Sequence, residues 1–183
     1  MAWTAPMTAV ANQKWTAAQF NTHVRDNLLE TEAAVVANAG EFVVSDGTNS
    51  LTTREIASAT STTTGTTNST GSFTSTLTGV GSPLSVTVET STQALVYVGA
   101  RMANNVSDGV CRICIAISGA TTVAASDDRS AYSAAVSANN FMSCSTWELY
   151  TGLTPGSHTF TAQYKVSTGT GTFGVRNIIV LPL

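Results

Sequence analysis

The stretch Phe160-Thr161-Ala162-Gln163-Tyr164-Lys165-Val166 decides the reading of this chain. Apolar and polar side chains alternate over seven positions. That is the period of a β-strand with one face buried and one face wet. Leu84-Ser85-Val86-Thr87-Val88-Glu89 repeats the pattern, with Leu84, Val86 and Val88 pointing one way. Working outward, β-branched and aromatic runs at 72–78, 94–102, 110–118, 142–150 and 172–183 read as further strands. The separators are turn chemistry: Val80-Gly81-Ser82-Pro83, Ser107-Asp108-Gly109, Ser118-Gly119 and Thr154-Pro155-Gly156. Closely spaced strands with no helical pattern between them predict a mainly β protein, an antiparallel β-sandwich or jelly roll over 72–183. Residues 124–140 fit either a long loop or a weak strand around Tyr132, and long ordered loops are where binding residues gather.

The N-terminal part is built differently. Residues 1–14 read as an extended arm containing Trp3 and Pro6. Thr16 and Gln19 have the spacing of a capping box, and Trp15 and Phe20 that of a hydrophobic staple. One N-terminal α-helix is therefore expected over about 17–37, with Phe20, Val24, Leu28 and Val35 on one apolar stripe interrupted by Thr31. A lone helix cannot bury such a stripe on itself, so it needs the β domain, a partner chain or copies of itself. Residues 41–56, with Asp46-Gly47 between two runs, predict a small hairpin. The Ser/Thr-rich stretch 58–71 is expected to be a linker, Thr also being compatible with an extended strand. The expected organisation is 1–57 for attachment or oligomerisation, 58–71 as linker and 72–183 as sandwich.

Composition narrows the function. Charged residues make up 10% of the 183 residues, the net charge is −3, and 43% of residues are hydrophobic. Typical soluble domains carry about 25% charged residues. Hydroxyls replace ions here, since roughly 50 residues are Ser or Thr. A surface so poor in charge suits a chain whose flanks are covered by neighbours in an assembly. With no basic run, nucleic-acid binding is not expected. No stretch approaches the length of a membrane span, and the N-terminal residues lack the pattern of an export signal.

Catalytic chemistry is not expected. Cys111 and Cys114, three apart in a strand, face opposite sides of the sheet, so they cannot jointly grip a metal and read as buried small hydrophobes. His23 and His158 are the two histidines, and no G-x-S-x-G elbow exists. Asp127 and Asp128 lack the spaced oxygen ligands of a calcium loop. The expectation is no enzyme activity, no catalytic or metal-binding residues and no cofactor. Tyr132, Trp147 and Tyr150 are the candidate ligand-facing residues, as platforms on which a sugar could stack.

The segment Trp15-Thr16-Ala17-Ala18-Gln19-Phe20-Asn21-Thr22-His23-Val24-Arg25-Asp26-Asn27-Leu28 resembles an N-terminal motif of bacteriophage tail-region proteins, where it follows a Trp-containing arm as it follows Trp3 here. Ser45-Asp46-Gly47-Thr48-Asn49-Ser50-Leu51 resembles segments of phage fibre-like proteins, and 153–160 with Arg176-Asn177 is similar to the ends of small virion β domains. The resemblance implies a virion structural protein, made in the host cytoplasm and labelled in such families as minor tail protein, fibre or capsid decoration. It implies attachment through the N-terminal part, with Trp3, Trp15, Phe20, Val24, Leu28 and Val35 as the attachment or oligomerisation residues. The partners it implies are other virion proteins of tail or capsid and further copies in a homotrimer, with a host-surface glycan as a further ligand.

Overall fold

The computed structural model of the protein describes residues 14–28, 36–47 and 50–183. They divide into two compact units, with the boundary between Glu55 and Ile56.

In the first unit the helix starts as its sequence predicts. The Gln19 amide N–H donates to Thr16 Oγ1 (3.2 Å), and the Thr16 N–H donates to Gln19 Oε1 (3.0 Å). The Trp15 and Phe20 rings meet edge-on at 6.3 Å. The helix runs as α1 Ala17–Phe20, a π-helical stretch Asn21–Arg25 and α2 Asp26–Leu28. The π-helical stretch turns less per residue than an α-helix. The buried residue of this helix is Asn27, whose amide donates to the His23 carbonyl (3.2 Å). The remainder of the predicted helix, with Val35, lies outside the described residues, as does Trp3. β1 (Glu41–Gly47) and β2 (Ser50–Glu55) form the predicted antiparallel hairpin, Phe42 opposite Arg54 and Val44 opposite Thr52.

The second unit holds nine strands: β3 (Ala57–Ser61), β4 (Gly65–Thr67), β5 (Ser85–Thr90), β6 (Gln93–Asn104), β7 (Val110–Gly119), β8 (Ala131–Ala134), β9 (Met142–Thr151), β10 (Gly156–Val166) and β11 (Gly171–Pro182). Two antiparallel sheets form, in the orders β3-β11-β6-β9 and β5-β10-β7-β8, with β4 added beside β11. With β4 left aside, successive strands change sheet at every step except β7 to β8. Leaving β4 aside and counting eight strands in chain order, the sheets read 1-8-3-6 and 2-7-4-5. That is the jelly-roll arrangement, and it resolves the sandwich-or-jelly-roll expectation in favour of the latter.

The core lies between the inner faces. Val96, Val98, Met102, Phe173, Ile178 and Val180 from one sheet face Val86, Ile113, Ile115, Ile117, Phe160 and Tyr164 from the other. Phe160, Ala162, Tyr164 and Val166 are all fully buried, so the alternation that opened the sequence reading sets the inward face of β10.

Two expectations are corrected. Residues 58–71 are not a linker: β3 and β4 both pair with β11. Ala57, Ala59 and Ser61 turn inward while Ser58 and Thr60 stay exposed, so this segment has strand periodicity with small residues on its inner side. Residues 72–78 are not a regular strand. They touch the sheet through isolated bridges, Thr74 to Tyr164 and Thr78 to Thr66, and bury Leu77.

β11 contains a bulge between Gly174 and Asn177. Val175 takes a left-handed φ of 46°, a strained conformation for a β-branched residue. The extra residue flips the inward parity from Phe173 to Arg176. Arg176, 1% exposed, then donates to Ser61 Oγ (2.7 Å), the Thr63 carbonyl (3.0 Å) and Tyr164 Oη (3.2 Å).

Candidate interaction surfaces

The two sheets present very different outer faces. On the β5-β10-β7-β8 sheet the outward residues of β5 and β10 are polar. Lys165 lies opposite Arg112, and Arg112 opposite Tyr132. The short 3-10 helix Asp127–Arg129, capped by Ser126, brings Asp127 over them. Lys165 Nζ reaches Asp127 Oδ2 at 2.6 Å, and Arg112 Nε approaches Asp127 Oδ1 at 3.6 Å. Asp127 therefore pairs with Lys165 and Arg112. Arg129 donates to the Ala124 carbonyl (2.7 Å). Arg112 also stands over the Tyr132 ring at 5.1 Å, and Lys165 over Phe73 at 5.1 Å.

A groove of about 540 Å³ crosses this face. Its floor is Ala116, Gln163 and Lys165, and its walls are 71–73 and 124–127. The Gln163 amide makes no hydrogen bond to any described residue. The groove offers an aromatic ring, a free amide and a neutralised carboxylate among small residues.

The outer face of the β3-β11-β6-β9 sheet carries two apolar rows beside Ser143, Ser145, Thr151, Gln93, Arg101 and Asn177. Pairing aligns Leu149, Leu95 and Leu181 in one row, and Trp147, Tyr97, Ile179 and Ser58 in the next. Trp147 is 56% exposed and Leu149 49%. The Trp147 and Tyr97 rings are 5.0 Å apart. A Cβ on Gly99 would lie 2.8 Å from Tyr97 Oη, so glycine at this position leaves room for the Tyr97 side chain across the face. The one charged residue among the outward residues of β6, β9 and β11 is Arg101, which covers Phe141 at 4.4 Å.

The candidate residues therefore do not converge. Tyr132 and Trp147 are exposed on opposite sheets. Tyr150 is corrected: it has the inward parity of β9, is 6% exposed and packs in the core. Burial pushes its hydroxyl pKa well above the usual tyrosine value. Among the attachment residues, Trp15, Phe20 and Leu28 are more than half exposed, while Val24 is half-buried. Sequence reasoning missed Leu95, Tyr97, Ile179 and Leu181. Their signal is the unbroken apolar runs 94–98 and 178–181, which mark strands apolar on both faces.

Cys111, Cys114 and His158 are enclosed. Cys111 and Cys114 are buried on opposite faces of β7, as their spacing requires. His158 is fully buried, with Nδ1 3.0 Å from the Gly156 carbonyl, to which it donates, and 3.0 Å from Thr90 Oγ1. Among the described residues no group of three or more His, Cys, Asp and Glu is placed to hold a metal ion, and no helix is long and apolar enough to cross a membrane.

No protein-family model and no curated protein matches the sequence. Solved structures do show similarity. The Eiger TNF of S. frugiperda is 13% identical, over 70% of this chain and 92% of that one, with a TM-score of 0.46. The VP2 subviral particle of infectious bursal disease virus is 10% identical, over 75% of this chain and 36% of that one, with a TM-score of 0.48. This chain thus spans about a third of VP2. The CBM35 of Cellvibrio japonicus Abf62 is 10% identical, over 68% of this chain and 93% of that one, with a TM-score of 0.33. The jelly-roll assignment rests on this chain's own strand order, and function has to be argued from its surfaces.

Proposed function

We propose that this chain is a structural protein of a bacteriophage virion, tail-associated as a minor tail or fibre-like component. Its N-terminal arm and helix attach it to the particle, it self-associates as a homotrimer, and the jelly roll is displayed. The observation that carries this reading is the helix. It has a complete capping box and a stapled start, yet it leaves Trp15, Phe20 and Leu28 more than half exposed. Large apolar side chains on a deliberately started helix are what a docking segment needs. The motif from Trp15 to Leu28, with its likeness to phage tail-region proteins, and the low-charge surface support the same reading. The role is one of assembly and not of catalysis, so the chain works without cofactor or metal.

The test is incorporation into particles. Full-length Phe20→Asp with Leu28→Asp is expected to lose co-sedimentation with virions at least about tenfold, a charge replacing an apolar anchor at each position. Unchanged co-sedimentation would show that the helix is not the anchor. Labelled wild-type protein seen on heads and not tails by electron microscopy would favour the capsid-decoration or head-fibre role.

The groove beside Gln163 favours a second role for the displayed domain, binding a host-surface glycan. Its free amide and Phe73 ring are the elements a weak sugar site uses, and several copies on one particle would add avidity.

A further inference from the structure

The walls of the groove beside Gln163 are fastened to the sheet by backbone hydrogen bonds. The Thr74 N–H donates to the Tyr164 carbonyl (2.9 Å) and the Tyr164 N–H to the Thr74 carbonyl (2.8 Å), which ties the 71–73 wall to β10. Ile117 and Val123 exchange the same pair of bonds (2.9 and 3.0 Å), which ties the chain to β7 where it enters the 124–127 wall. The Asp128 N–H on Ser126 Oγ and the Arg129 bond to the Ala124 carbonyl hold that wall itself. A groove fixed in this way loses little freedom when a ligand enters it.

The charge inside the groove is unbalanced. Lys165 and Asp127 are the charged residues of its lining, and Arg112 approaches the same carboxylate at 3.6 Å. Two cations therefore share one carboxylate, and the cluster keeps a surplus positive charge. The other carboxylates of this unit, on Glu89, Asp108, Asp128 and Glu148, do not line the groove. Lys165 has three N–H donors. One goes to Asp127 at 2.6 Å, and no second hydrogen bond forms to a described residue. Gln163 stands two residues along on the same face of β10, about 6.6 Å away along the strand. Its amide adds a donor and an acceptor without a partner among the described residues.

We propose that this groove selects an anionic saccharide, whose carboxylate or phosphate goes to Lys165 and whose neighbouring hydroxyls go to the Gln163 amide. The proposal rests on the glycan-binding role given to the groove above and names the class of sugar. The surplus charge selects the anion. The rest of the lining selects the sugar. Apart from the Phe73 ring it consists of Gly, Ala and Ser beside Gln163 and the charged pair, so it has no apolar pockets in which a peptide would anchor its side chains. A polyol needs none, being held by a few placed polar groups and a ring. The volume of about 540 Å³ is that of a small-ligand site.

The experiment is a binding titration of the full chain against two matched pairs of probes. One pair is trigalacturonate and its methyl ester, and the other is a phosphomannan fragment and its dephosphorylated form. The acidic member of at least one pair is expected to bind at least about fivefold more tightly than its neutral partner, and the pair that shows this names carboxylate or phosphate as the anion. Gln163→Glu, nearly isosteric with one negative charge added to the groove, is expected to weaken the acidic probe at least about fivefold. Ser143→Glu adds the same charge on the other sheet and is expected to leave binding unchanged. Far-UV circular dichroism checks each fold, and Lys165→Gln replaces Gln163→Glu if that variant unfolds. Equal binding of acidic and neutral members keeps the glycan role and overturns the selection of an anion. No binding of any probe overturns both. An acidic probe weakened alike by Gln163→Glu and Ser143→Glu answers to net charge and overturns the groove as its site. Triglutamate bound as tightly as trigalacturonate overturns the saccharide and leaves an acidic peptide as the ligand.

Discussion

Arg176 brings a guanidinium into the sandwich, and among the described residues it meets no carboxylate there. Its stabilisation comes from Ser61, the Thr63 carbonyl and the Tyr164 hydroxyl. The bulge and the strained Val175 exist to turn it inward, so one uncomfortable backbone position sets the order of several polar groups. Tyr164 shares the interior with Cys111, and Cys114 is buried on the other face of β7. Burial pushes the Cys111 thiol up from 9.0 to about 11, and raises Cys114 and Tyr164 as well. For Tyr164 the bond from Arg176 acts the other way and is outweighed. Each of these groups is held protonated in the fold and ionises more readily once unfolded. The stability they contribute is complete below pH 9 and is lost as pH rises through the folded values. Urea midpoints should hold level from pH 7 to about 8.5 and then fall steadily towards pH 11. Cys111→Ala should flatten that fall. A midpoint constant to pH 11 would mean that the buried acids do not govern alkaline stability.

Among the elements, β3 was hidden in the sequence and β10 was plain. The difference is contrast. Phe160, Ala162, Tyr164 and Val166 alternate with Thr, Gln and Lys, whereas β3 alternates Ala with Ser and Thr, which differ little in hydrophobicity. A composition of hydroxyls and small residues reads as linker until its hydrogen bonds to β11 are seen. The helix start was legible because capping is local chemistry between residues three apart. Its π-helical stretch was not, since no residue type in Asn21–Arg25 demands it. If β3 is a working strand, its two faces must differ in tolerance. Ala59→Asp places a charge against the sandwich and should cost about 2–4 kcal/mol. Thr60→Asp, on the exposed side, should stay within about 0.5 kcal/mol. Thermal unfolding of both distinguishes a strand from a tether, for which both changes would be harmless.

At the scale of the whole molecule, strand content was readable but strand order was not. The jelly roll pairs β3 with β11 and β5 with β10, partners far apart along the chain, and a single sequence carries no local mark of such pairings. The candidate surfaces suffered from the same limit. Tyr132 and Trp147 read alike as exposed aromatics until the sheets assigned them to opposite sides. Tyr150 differs from Trp147 only in parity, and Glu148 between them obscures which parity faces in.

The segregation of the two outer faces means that the molecule can be addressed by ionic strength as two independent instruments. Contacts made through Arg112, Asp127 and Lys165 are screened as salt rises. Contacts made through Trp147, Leu149 and Ile179 are unaffected by screening and are strengthened by a salting-out ion such as sulfate. Raising sulfate should therefore weaken any ionic contact on the Arg112–Lys165 side and strengthen any apolar contact on the Trp147–Leu149 side. A single domain can in this way have the contacts of its two sides moved in opposite directions by one change of salt.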